Sequence, residues 1–156
     1  MTSPDPCPTL VIGLGNRFRG DDAVGLETVD ALRSFIPPKC RAVEHLSDGA
    51  DLMQLWREED RVIIVDAVRS GAESGKIHRL DACQEPLPLG FFSYSTHAFS
   101  LAEAVEMART LGQLPAALKV FGIEGDSFEI GQQMSERVRL ACQSLIDELK
   151  SVFAQA

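Results

Sequence analysis

The chain has no run of apolar residues near the roughly 18 that a helix needs to cross a bilayer. Its opening residues, MTSPDPCP, have neither the charged start nor the apolar middle of a secretory signal. Membrane insertion and export are therefore not expected, and a cytoplasmic location is. No cluster of Lys and Arg occurs anywhere, and the formal net charge is −8. Nucleic acid and anionic membrane surfaces, which reward clustered cations, are not expected as partners. There is no CxxC pair either: Cys7, Cys40, Cys83 and Cys142 lie far apart, as free thiols do, and a thiolate zinc site is not expected. Two hydrolase signatures are missing as well. The nearest approach to a G-x-S-x-G elbow is GAESG (71–75), whose spacing is wrong, and no H-E-x-x-H occurs.

What remains is an ordinary soluble composition, 45% hydrophobic and 24% charged over 156 residues, enough for one core. With no repeat or linker, residues 1–156 are expected to form a single domain, 1–8 being a flexible tail. TLVIGL (9–14) is a short apolar run ended by glycines, as in a strand buried on both faces. Residues 22–35 place Val24, Leu26, Val29, Leu32 and Phe35 near helical spacing, and Pro37 and Pro38 stop that helix. CRAVEHL (40–46) predicts a second strand and residues 50–57 a short helix. RVIIVDAV (61–68) is the strongest strand signal, and GKIHRLD (75–81) alternates like an edge strand. Residues 100–112 predict a helix opened by a Ser100–Glu103 capping box and closed at Gly112. ALKVFGIEG (117–125) predicts the last strand and residues 133–153 a long amphipathic helix. Strands alternating with helices imply a three-layer α/β/α fold with a mostly parallel sheet. In such folds ligands sit beyond the carboxyl ends of the strands, which directs attention to residues 13–22, 45–49, 66–70 and 124–126.

The stretch GLGNRFRGDDAVG (13–25) resembles a phosphate-binding turn, but the dinucleotide fingerprint needs a third glycine where Phe18 stands. Glu44 could imitate the acid that holds a ribose. Against this, Asp21 and Asp22 would compete for the helix-start donors that a pyrophosphate uses. Helix capping accounts comfortably for one of these two acids. Asp66 ends the strand RVIIV, and His97 lies just before the capping box. Each alone reads as a turn or helix-entry residue. Together, Asp22, Asp66 and His97 supply two carboxylates and one imidazole, a three-ligand set with open positions that suits zinc, nickel or iron. His45 could stand near such a crevice in a supporting role, and His78 is expected on the solvated edge strand.

GLGNRFRGDDAVG, the IIVDAV strand and STHAFSLAEAV, in that order, resemble the hydrogenase maturation endopeptidases over nearly the whole chain. The resemblance implies a twisted, mixed sheet of five strands with helices on both sides. It implies that Asp22, Asp66 and His97 are metal ligands, with nickel supplied by the substrate, a hydrogenase large-subunit precursor whose C-terminal extension is removed. The enzyme itself is expected to be a monomer. The sequence departs from the family pattern in two places: some relatives carry Glu at the Asp22 position, and a D-G-G-T-like turn is replaced by HLSDGAD (45–51). Asp48 is thus a further candidate at the site. If a water needs a base, Asp21 and Asp48 are the candidates. The competing functions are a noncatalytic metal-binding assembly protein and, more remotely, a dinucleotide-binding oxidoreductase.

Overall fold

Alternating side chains give each central strand two buried faces. In the computed structural model, which describes residues 9–45, 49–92 and 100–154, strand β1 (Thr9–Leu14) sends Leu10, Ile12 and Leu14 into one core and Val11 into the other. After it come a 3-10 turn (Gly20–Ala23), helix α1 (Val24–Arg33) and strand β2 (Arg41–His45). A second 3-10 segment (Gly49–Gln54) leads to strand β3 (Arg61–Val68) and strand β4 (Ile77–Asp81). Helix α2 (Leu101–Thr110), strand β5 (Ala117–Glu124) and helix α3 (Glu136–Ala154) complete the chain.

The sheet order is β2-β1-β3-β5-β4. The first four of these run parallel, and β4 lies antiparallel against β5 at the edge. Leu101, Val105 and Ala108 of α2 cover one face together with Leu52 and Trp56. Val24, Val29 and Leu32 of α1 cover the other, alongside Val138, Leu145 and Leu149 of α3. This is the expected α/β/α sandwich with a mixed, mostly parallel five-stranded sheet. No helix among the described residues is long and apolar enough to cross a membrane.

Local chemistry explains the boundaries. At α2, the Ser100 hydroxyl accepts the Glu103 N–H at 3.3 Å. At its other end Gly112, with φ of 68°, donates to Arg109 O while Gln113 N–H reaches back to Ala108 O, the paired bonds of a Schellman cap. Helix α1 is shorter than its apolar spacing suggests. It opens as the tighter 3-10 turn and stops at Arg33, before the residue preceding Pro37 is driven out of helical conformation. Phe35 is consequently not on a buried helix face but 45% exposed, with the Lys150 ammonium 5.3 Å from its ring centre. The predicted helix at 50–57 is only the second 3-10 segment.

Candidate active site

From β1 the chain passes to β2 on one side and then returns to β3 on the other side of β1. The connections leaving β1 and β3 therefore part from each other, and beyond such a switch point open α/β sheets form the crevice that binds their ligands. Asp22 follows β1 and Asp66 lies near the end of β3, so these two predicted residues flank the switch point. Both are buried, at 2% and 4% exposure. Asp66 Oδ1 accepts the N–H of Ala67 at 2.8 Å, which fixes its carboxyl group at the strand end.

The glycines of the opening motif bring the start of α1 onto this spot. A Cβ at Gly25 would stand 2.4 Å from the carbonyl oxygens of both Leu14 and Val65, the residues that end β1 and approach the end of β3. Gly15 turns with φ of 138°, and a Cβ there would meet the Asp22 carbonyl oxygen at 1.9 Å. The turn then consumes its own donors. Asn16 N–H bonds to Asp22 O, Asp22 N–H to Arg19 O and Asp21 N–H to Ser127 O. A phosphate cradle needs such N–H groups directed at the ligand, and these three are directed into the fold. Glu44, the candidate ribose acid, instead forms an ion pair with Arg17, which also lies 2.9 Å from Asp30. The dinucleotide alternative fails on both counts.

Asp21, 0% exposed, has its carboxylate taken up by the backbone and a side chain of distant loops. Its Oδ2 accepts the N–H groups of Asp126 (2.7 Å) and Ser127 (3.0 Å), and its Oδ1 accepts the N–H (2.6 Å) and hydroxyl (2.9 Å) of Ser135. It fastens the β1–α1 loop to the β5–α3 connection. Arg19 reinforces the joint, its Nε donating to Phe128 O at 3.1 Å. Held between these anchors and Gly15, Asp22 has little freedom to shift.

His97 and Asp48 lie outside the described residues. Among the described residues, no three His, Cys, Asp or Glu side chains come together closely enough to hold a metal ion. His45 contributes through its backbone, its carbonyl receiving the Gly15 N–H at 3.4 Å.

His78 departs from expectation. Its side chain is only 10% exposed; Nε2 lies 3.2 Å from Glu124 Oε1, and the ring meets Phe91 edge-on at 4.9 Å. The strand alternation of β4 explains this: His78 shares the face of Leu80, which packs on the α2 side of the sheet. Glu124, 1% exposed at the end of β5, also accepts the Ser70 N–H at 2.9 Å and the Ser70 hydroxyl. Burial alone would raise the Glu124 carboxyl, but the bonds from Ser70 and His78 outweigh it and hold the group below its ordinary range. This cluster ties the loop after β3 to β5. Its sequence signal was an acid closing the apolar run VFGIE.

Two buried acids beside the switch point of an open, mixed sheet, with the turn's donors satisfied internally, define an α/β protein whose crevice is not a nucleotide site. Comparison with known proteins identifies which. Residues 33–152 match the family model described as HycI, hydrogenase maturation protease. The HupD hydrogenase expression/formation protein of Bradyrhizobium diazoefficiens is 26% identical over 157 residues, covering 94% of this chain and 82% of HupD. The hydrogenase 2 maturation protease of Escherichia coli is 28% identical over 122 residues, 77% of this chain and 74% of the relative. The solved structure of the E. coli hydrogenase maturating endopeptidase HybD superposes with a TM-score of 0.77 at 22% identity, over 95% of this chain and 93% of HybD. The chain belongs to the hydrogenase maturation protease family and is a peptidase.

Proposed function

We propose that this peptidase removes the C-terminal extension of a nickel–iron hydrogenase large-subunit precursor after nickel insertion, with Asp22, Asp66 and His97 engaging the nickel that the precursor carries. The observation that carries this reading is the burial of two acids beside the switch point, Asp22 in the turn that follows β1 and Asp66 near the end of β3. Carboxylate oxygens and an imidazole nitrogen are donors that a borderline divalent cation such as nickel accepts. A substrate whose metal must meet these groups is docked only when loaded, so recognition also sets the timing of cleavage.

In the cut itself, one water is added across one peptide bond. A base for that water must lie within hydrogen-bond reach of it. Asp21 is poorly suited, since its oxygens already accept three N–H groups and a hydroxyl. Asp48 is the remaining candidate of the two. The reaction is assigned to the cytoplasm and the enzyme to the monomeric state.

The test is incubation with nickel-loaded and metal-free precursor, read by mass spectrometry. Loss of a short C-terminal peptide from the loaded form alone supports the proposal. Equal cleavage of both forms removes the role of nickel, and binding without cleavage favours an assembly function.

A further inference from the structure

Among the described residues, the most exposed large apolar side chains are Ile130 at 81%, Phe18 at 74% and Leu89 at 70%. The other exposed ones, from 41% to 56%, lie on helices or just past their ends, where a partly wetted flank is ordinary. The leading three are on loops instead, and all three loops gather at the carboxyl end of the parallel strands. Phe18 belongs to the β1–α1 loop and Ile130 to the β5–α3 connection. Leu89 is two residues from Phe91, whose carbonyl accepts the N–H of Arg69 at 3.1 Å just beyond β3.

These tips are mounted on fixed backbone. Gly131 N–H donates to Phe18 O at 2.8 Å, joining the residue beside Ile130 directly to Phe18. Phe18 N–H is held by the Asn16 side chain at 2.9 Å, and the Asp21 bonds bind the same two loops together again. Arg69, exposed beside them, lies over the Phe128 ring at 5.2 Å. Apolar side chains grouped around one site mark an interaction surface, and aromatic residues with arginine are what protein interfaces favour.

We propose that Phe18, Ile130 and Leu89 form an apolar rim that grips the folded body of the protein substrate while its cleavable segment enters the crevice. The inference rests on the function proposed above, and the occupant is accordingly the large-subunit precursor. The rim is continuous with the crevice, since Phe18 is four residues from Asp22 on one pinned loop.

The experiment compares wild-type enzyme with F18S/I130S and L89S on nickel-loaded precursor, with L140S on the outer flank of α3 as control. Because the rim residues are exposed, their variants should unfold at the wild-type temperature. The expected result is a rise of roughly tenfold in KM and in the Kd measured by calorimetry for F18S/I130S, with a smaller rise for L89S. The kcat of F18S/I130S should fall far less than its KM rises, and L140S should match wild type in both. Unchanged KM and Kd in the rim variants would overturn the rim while leaving the protease function intact. Failure of wild-type enzyme to process the loaded precursor would overturn the function and the rim with it. A wild-type dimer in sedimentation that F18S/I130S abolishes would show the rim covered by a second copy, which also overturns the proposal.

Discussion

The two ends of the parallel sheet treat buried acid in opposite ways. At the amino end, the buried acid among the described residues is Asp60, just ahead of β3. Its Oδ2 takes the Arg57 N–H at 2.8 Å and faces Arg41 at 3.2 Å, so one cation and one amide close the account. At the carboxyl end, four acids are buried among the described residues: Asp21, Asp22, Asp66 and Glu124. Two of these, Asp21 and Glu124, are absorbed in tying loops together. They hold the connections beside the other two, Asp22 in the turn after β1 and Asp66 near the end of β3. One acid at the amino end is a local solution to a folding problem. At the carboxyl end, two acids fasten the loops that lie beside the two acids of the proposed site.

That contrast can be broken most severely at Asp22. Asp22→Ala should lower processing of loaded precursor by about 100-fold or more, the scale on which loss of a group facing the reacting centre is felt. Processing is compared at a temperature where the variant remains folded. Wild-type processing by this variant would show that burial of Asp22 is structural after all.

Asp21→Asn should behave in the reverse manner, as a stability lesion. The new amide would set N–H against the N–H donors of Asp126, Ser127 or Ser135, costing about 3 kcal/mol in urea unfolding. Whatever folded enzyme remains should show an unaltered pH profile for processing, because Asp21 ties loops together and is not the base for the water. A lost limb in that profile would return Asp21 to the chemistry.

At the quiet end, Asp60→Ala should cost about 1–2 kcal/mol, since Arg41 is half-exposed and can turn to water. Processing below the melting temperature should match wild type. A large processing defect here would mean that the two ends are coupled.

The smallest effect concerns acid stability. A carboxyl held below its ordinary value, such as Glu124, contributes stability that is present above the unfolded pKa of about 4.5 and is lost as pH falls through the folded one. Glu124→Gln should therefore flatten the decline of stability below that pH. Melting curves between neutral and strongly acidic buffer measure the slope, and an unchanged slope would assign the decline to other carboxyls, such as Asp30 and Glu148, which are also held low.

The strands were legible because alternation and β-branched runs are local signals: RVIIVDAV is β3 over the same residues. So was Ser100 at the start of α2, where a hydroxyl and an amide three residues on are all that matters. The positions of Asp22 and Asp66 also followed from sequence, since the ends of strands in an alternating α/β chain are predictable places. The division of labour within Asp21–Asp22 was not. It depends on Ser127 and Ser135, more than a hundred residues away, which no local pattern connects to a loop acid. His78 was misread for a related reason. A short edge strand looks solvated on both faces until the partner Glu124 and the covering Phe91 are known.

The crossing of α1 over the ends of β1 and β3 has a further consequence. Glycine costs a helix roughly 1 kcal/mol relative to alanine, yet α1 carries one at position 25, where any side chain would collide with two strand carbonyls. The crossing is thus a fixed datum, as a lathe bed is to its tool, while the loop tips around it are replaceable. Divergence or engineering toward a different precursor should leave Gly13, Gly15 and Gly25 untouched and rewrite positions such as 18, 89 and 130. A new specificity can then be fitted without moving Asp22 or Asp66.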